Sequence, residues 1–329
     1  MDKVLYAIFW CLSLLPFRVL YWISDALSFL LYHVVGYRKK IVRKNLKNSF
    51  PEKTEKELRK IEKEFYQHFC DCFFETIKCL TMKPDDFRER MRYVNPEELE
   101  RFKEKNQSFI LYLGHYGNWE WLTFGYKYDH KTLFPTYIPM AVYHKLESGP
   151  FDKFYLRLRL SSGAIIVPQK QFLRTYAEQK QKKQITMYCF NSDHGMMWEN
   201  MYFWMKWLNQ DTAPEIGPEK IARRTKMPAL YIDVQKPSRG HYTARFVPLT
   251  DDANELEEFE LTRMYMRKVE ESIRRNPAYW MWTHNRWKRT PERFAKRTKL
   301  VERNRKIQEE IEARRKAKEN VLNTAQPVE

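Results

Sequence analysis

Six short apolar runs, alternating with stretches of helical period, constrain this chain more than any other feature. Residues 109–113, 138–143, 164–167, 185–190, 229–234 and 242–247 have the length and content of strands. Between several of them lie amphipathic patterns at 119–126, 151–160, 171–182 and 218–225, and a last long helical pattern spans 255–275. Strands that alternate with helices predict a mixed α/β sheet with helices packed on it. Ahead of them, residues 54–80 place Leu58, Ile61, Phe65, Phe69, Phe73 and Ile77 at helical spacing. No internal repeat and no long linker interrupts residues 50–290, so they read as one domain. Only 9 of 329 residues are Gly, where average usage would give roughly 23. That scarcity argues against a Gly-rich propeller, barrel or dinucleotide fold.

Charge sits at the two ends. The apolar run of residues 4–17 is broken by Arg18 and resumes to about Tyr37, so neither half offers the roughly 20 uninterrupted apolar residues of a clean spanning helix. Arg38, Lys39, Lys40, Arg43, Lys44 and Lys47 follow at once with no acid among them. Cations at the end of an apolar segment face the cytoplasm and meet anionic headgroups. Residues 1–37 therefore read as a membrane anchor, spanning or interfacial. Residues 286–318 hold 14 Lys or Arg against 5 acids; within them, 291–329 begins a basic helical tail, read either as a solvated helix or as a docking element. The formal net charge of +17 points to an anionic partner. No nucleic-acid motif and no nucleotide loop is visible. Five Cys in a long chain give no disulfide framework, and His68, Cys70, Cys72 and Cys79 fit no common zinc spacing, so they read as packing residues.

Chemistry is expected where a strand ends in a small-residue turn. Leu113-Gly114-His115-Tyr116-Gly117-Asn118-Trp119-Glu120 is that place. Two of nine glycines flank His115, a candidate general base, and Glu120 in the next helical turn is placed to accept its other ring N–H. Backbone N–H groups at 117–119 are candidate oxyanion donors. The His-x4-acid spacing is weak by itself. With 42 acids in 329 residues, eight His give about one such match by accident, and His194 with Glu199 is a second. Context has to choose between them.

Four blocks in order supply the context. They are LGHYGNWEW around His115, Arg157-Leu158-Arg159 before Gly163-Ala164-Ile165-Ile166, Asn191-Ser192-Asp193-His194-Gly195, and PAYWMWTHNRWK at 277–288. Together, behind an apolar N-terminus, they resemble the late (secondary) acyltransferases of lipid A biosynthesis, over some nine-tenths of the chain. The resemblance implies an O-acyltransferase with a glycerolipid-acyltransferase-like fold, its catalytic domain over residues 38–290. It would move a fatty acyl chain from acyl carrier protein to a hydroxyl of a lipid A precursor at the cytoplasmic face of the inner membrane, with no cofactor and no metal.

By position, the resemblance makes His115 the base and Glu120 its partner. Arg159 would hold an anionic group or the thioester oxygen, Asp193 would lie beside the site, and Gly117 and Asn118 would contact substrate. His194 would then be the accidental match. The chain departs from the family at Phe203-Trp204-Met205-Lys206 and at Asn285, which leaves chain length and acceptor position open. Residues 196–204, rich in Met and aromatics, read equally as an acyl groove or as core. A glycerophospholipid or other glycolipid acyltransferase would share His115 and Glu120, and a non-catalytic membrane- or RNA-binding protein would explain the charge alone.

Overall fold

A computed structural model describes residues 2–133, 137–143 and 149–324. Strands β1 (Met91–Tyr93), β2 (Phe109–Leu113), β3 (Ile138–Tyr143), β4 (Ile165–Pro168), β5 (Thr186–Asn191), β6 (Met205–Trp207), β7 (Gln210–Thr212), β8 (Ala229–Ser238) and β9 (His241–Thr250) form two sheets. Seven of them make one sheet in the order β1-β9-β8-β2-β5-β3-β4. Only the β8–β9 hairpin pairs antiparallel in it; the other pairs are parallel. The expected mixed α/β sheet is thus present. Every residue of β2 is buried, as its unbroken apolar run requires of a strand covered on both faces.

The helices are α1 (Asp2–Leu14), α2 (Phe17–Phe29), α3 (Lys39–Ser49), α4 (Glu55–Lys78), α5 (Pro84–Arg90), α6 (Glu100–Glu104), α7 (Trp119–Leu133), α8 (Gly149–Leu160), α9 (Phe172–Gln181), α10 (Gly217–Thr225), α11 (Glu260–Arg275), α12 (Pro291–Ala295) and α13 (Thr298–Thr324). A capping box opens α4: Thr54 Oγ1 accepts from the N–H of Glu57, and the Glu57 carboxylate accepts from the N–H of Thr54.

Topology fixes where chemistry can occur. β2 and β5 are parallel neighbours in a register that pairs Leu113 with Asn191. Both chains therefore leave the sheet at the same edge, side by side, and the residues that follow them must meet. The carboxyl ends of parallel strands are where α/β folds build their sites.

The N-terminal segment does not stand apart. α2 continues through a π-helical turn, Leu30–Val35, and stops at Gly36, whose φ of 65° is one that glycine adopts without strain. No single helix is long and apolar enough to cross a membrane; a pair, Phe17–Val35 and Lys39–Ser49, passes on length and composition but bends by 92°. Lys78 Nζ donates to the carbonyls of Ser13 and Leu15, both at 2.8 Å. Ser24 Oγ donates to Asp71, and Arg239 bridges Asp71 and Asp25. Removing residues 1–36 would take from buried Lys78 both of these carbonyls and from Asp71 the Ser24 hydroxyl, so the segment packs as part of the folded body. Its outer face stays apolar. Among the described residues, Val4, Ile8, Leu14, Trp22, Phe29, Val34 and Val35 are each at least half exposed.

The opposite terminus docks over its first turns. Leu300 packs beside Met201 and Phe294, Arg303 and Asn304 donate to the carbonyls of Glu199 and Met201, and Ile311 lies against the Phe203–Phe259 pair. Within segment 196–205, Met201 and Phe203 are buried between the body and α13, while Met197 stays exposed. The β6–β7 hairpin inside the adjoining stretch was not foreseen. Its turn residues Leu208 and Asn209 both have positive φ, 49° and 61°, a two-residue turn usually written with Asn-Gly.

Candidate active site

Loop 114–118 is clamped from outside. The N–H of Gly117 donates to the Tyr279 carbonyl at 2.9 Å, the N–H of Met281 donates to the His115 carbonyl at 3.2 Å, and Tyr116 bridges Trp280. Gly117 has φ of 62°, and a Cβ there would lie 2.7 Å from Val234 Cγ1, so both conformation and space demand glycine. Its N–H is already spent, which removes it from the expected oxyanion donors. Asn118 is also committed. Its Oδ1 caps α7 by accepting from the N–H of Trp121 at 3.1 Å, and its Nδ2 donates to Glu75 at 2.7 Å. At 1% exposure it offers nothing to a substrate. Gly117 and Asn118 therefore shape the loop through contacts within the protein.

His115 meets Asp193, which leaves β5 beside it. Asp193 Oδ1 lies 2.6 Å from His115 Nδ1, Oδ2 accepts from the His115 backbone N–H at 2.9 Å, and the Trp280 indole donates to the same Oδ2 at 2.7 Å. Asp193 is fully buried. Burial alone would raise its pKa, but the His115 contacts, His194 and the Trp280 donor hold the carboxyl well below the usual range. An ionised Asp193 accepts at Nδ1, so that nitrogen carries the proton and Nε2 is left as the basic one. The His115 side chain keeps 16% exposure.

Sequence reasoning gave Glu120 the place that Asp193 occupies. Glu120 instead forms a fork with Arg159 of α8: Arg159 Nε donates to Oε2 at 3.0 Å, and Nη2 to Oε1. The reason is directional. Glu120 lies in the first turn of α7, beyond the cap, whereas Asp193 leaves the sheet alongside His115. Burial lowers the Arg159 pKa, yet the Glu120 carboxylate more than offsets it and the net shift is upward. Two expected site residues are thus joined to each other.

His194 was set aside as the accidental match, and no hydrogen bond joins it to Glu199. Its ring nevertheless stacks on His115, with centroids 3.5 Å apart and planes 8° from parallel, and on His284 at 4.1 Å and 13°. Burial, then the neighbouring His115, holds His194 well below the ordinary imidazole range; burial and Arg286 bring His284 to about 4. Neither stacked partner was predicted, since spacing along the chain cannot show ring stacking. His115, Asp193 and His194 each present a ligand-type atom within 4.8 Å of one another. Both Asp193 oxygens are already engaged, and parallel rings aim their lone pairs side by side rather than at one point.

Behind the loop, sequence reasoning missed Glu75, an acid on the buried face of α4. It accepts from Asn118, Tyr242 and Tyr21, and burial raises its pKa. Its one sequence signal is a carboxylate on an apolar stripe. Nearby, His68 and Cys72 pack in the core, 3.4 Å apart.

A base-and-carboxylate pair at the end of parallel strands admits many chemistries, and comparison with known proteins narrows them. The model of the bacterial lipid A biosynthesis acyltransferase family matches residues 2–289. The chain belongs to that family. It is also similar to the lipid A biosynthesis lauroyltransferase of Escherichia coli (strain K12), 22% identical over 287 residues, which cover 87% of this chain and 90% of that protein. As a lipid A biosynthesis acyltransferase it moves an acyl group from a donor to a lipid A precursor. The family match spans all four blocks and the packed N-terminal helices; it ends just before α12 and the tail.

Proposed function

We propose that this acyltransferase takes its chain from an acyl carrier protein thioester and places it on a hydroxyl of the lipid A precursor, with His115 as general base. The observation that carries the reading is the 2.6 Å contact of Asp193 Oδ1 with His115 Nδ1, which presents an unprotonated Nε2. The acceptor hydroxyl gives its proton to Nε2 as its oxygen attacks the thioester carbonyl carbon. The tetrahedral intermediate collapses as the C–S bond breaks, and the leaving sulfur recovers the proton from the imidazolium. The products are an ester and the carrier thiol. A thioester is already activated, so the sequence needs no nucleotide. The N–H groups of Trp119 and Glu120, which have no acceptor within the helix, are the donors proposed for the oxyanion.

Arg159, held planar by Glu120, is proposed to steady an anionic group of the acceptor or the thioester oxygen. Lysine cannot reproduce a forked contact. Arg159→Lys should therefore lower kcat about tenfold or more although the charge is kept. A Lys variant of full activity would reduce Arg159 to a scaffold cation.

The exposed apolar face of the first helices is proposed to sit in the cytoplasmic face of the inner membrane, with α3 on anionic headgroups. Four of the six cations at 38–47 are engaged within the protein: Arg38 with the Thr283 carbonyl, Lys39 with the Tyr32 carbonyl, Arg43 with Glu62, and Lys47 with Glu55. That leaves Lys40 and Lys44, exposed on α3, as the main headgroup contacts. Each surface cation contributes about 1 kcal/mol. The Lys40→Ala, Lys44→Ala double variant should then bind vesicles containing phosphatidylglycerol roughly thirtyfold more weakly at low salt. Unchanged vesicle binding would remove α3 from the interface.

A further inference from the structure

We propose that His194 and His284 are positioning residues: the three-ring stack holds the His115 imidazole in the one plane in which Nδ1 meets Asp193 and Nε2 faces the acceptor. The inference rests on the assignment of His115 as base and deepens it.

The stack is assembled by backbone, not by chance side-chain placement. Asp193 and His194 leave β5 together, and Gly195 follows at a point where a Cβ would lie 2.9 Å from the Arg286 carbonyl. That close approach brings the turn after β5 against segment 284–286. The segment is anchored in turn: the Asn45 amide donates to the carbonyls of Trp282 and His284, both at 3.0 Å, and Arg286 Nη2 donates to the Ala213 carbonyl at 3.2 Å. His194 is therefore gripped on both faces, and His115 is gripped on one face by His194 and along its edge by Asp193.

One nitrogen of each added ring does no hydrogen-bond work. His194 Nε2 and His284 Nδ1 are buried without a partner among the described residues. Unpaired buried polar atoms are costly, and a phenylalanine would pack a flat ring without that cost. What these two positions supply to His115 is the flat face of a ring held parallel to its own. Burial is the first cause that disfavours the charged form of the outer rings, and the groups around them add to it. Arg286 and Lys288 from the 277–288 block oppose their protonation, and Asp193 is occupied by His115. Glu215, buried near Arg286, is itself driven toward its neutral form by burial.

The test uses the full-length enzyme in detergent, with acyl carrier protein thioester as donor and lipid A precursor as acceptor. His194→Ala should lower kcat about tenfold or more with KM nearly unchanged, because a reacting group freed to tilt loses its near-attack geometry. His194→Phe should restore kcat to within about threefold of the parent, since a flat ring refills the layer. A Phe variant as poor as the Ala variant, at matching thermal stability, would overturn the inference in favour of a chemical role for a His194 nitrogen. An Ala variant of parental kcat would overturn it outright. Should His194→Ala fail to fold, His284 decides: Ala below Phe supports the stack, and Ala equal to Phe contradicts it. His115→Ala, measured alongside, separates the two claims. If it stays active the base assignment fails; if it is inactive while His194→Ala is fully active, only the stack fails.

Discussion

Asp193→Asn should reduce kcat by roughly 10³ to 10⁴ while leaving the fold and acceptor binding nearly intact, the scale seen when a general-base histidine is held in the wrong tautomer. The amide keeps the size of the carboxylate and can still accept from the His115 backbone N–H or the Trp280 indole. It cannot keep all three contacts that Asp193 makes, at 2.6, 2.9 and 2.7 Å. An Asn whose NH2 faces Nδ1 donates to that nitrogen and moves the ring proton to Nε2, where the base is needed. The native carboxyl is held well below its usual range, so it stays charged through neutral and mildly acidic pH, and the activating contact is lost only as pH falls through that depressed value. Steady-state kinetics across pH measures this. An Asn variant with near-parental kcat would show that Asp193 only builds the loop.

His115→Ala should cut turnover by about 10² to 10⁴, the range for losing a general base, with the donor and acceptor still bound. Glu120→Gln should fall less than either, because the amide can still accept one of the two hydrogen bonds from Arg159. The order separates two views of the site. A direct Glu120–His115 partnership would make Glu120→Gln as damaging as Asp193→Asn. The geometry predicts that Asp193 matters more.

What was legible in the sequence followed from periodicity and from turns. β2 and β3 fall on the expected residues, and the four other expected strands appear with shifted or longer ends, because apolar runs of strand length between helical patterns have one economical fold. The loop at His115 was legible from its glycines, and Gly117 indeed needs to be one. The partner of His115 was not legible from spacing. Asp193 is 78 residues away, and only the parallel register of Leu113 with Asn191 brings it alongside. Glu120 was the natural local choice, yet the turn from loop to helix sends its carboxylate to Arg159. The His194 and His284 stack lay outside the reach of any spacing rule, as did Glu75, a carboxylate hidden on an apolar helix face. β1 was missed because three residues give no period. No local sign in the sequence showed that Lys78, Asp71 and Arg239 would bind the N-terminal helices to the body.

The central claim is acyl transfer to lipid A through His115, and mass spectrometry of lipid A tests it most directly. Three otherwise identical strains are compared: one making the native protein, one lacking it, and one making His115→Ala at equal abundance. The account predicts that lipid A from the native strain carries one more ester-linked chain than lipid A from the other two, which match each other. Lipid A that keeps that chain when His115 is alanine, or that is the same in all three strains, would contradict it.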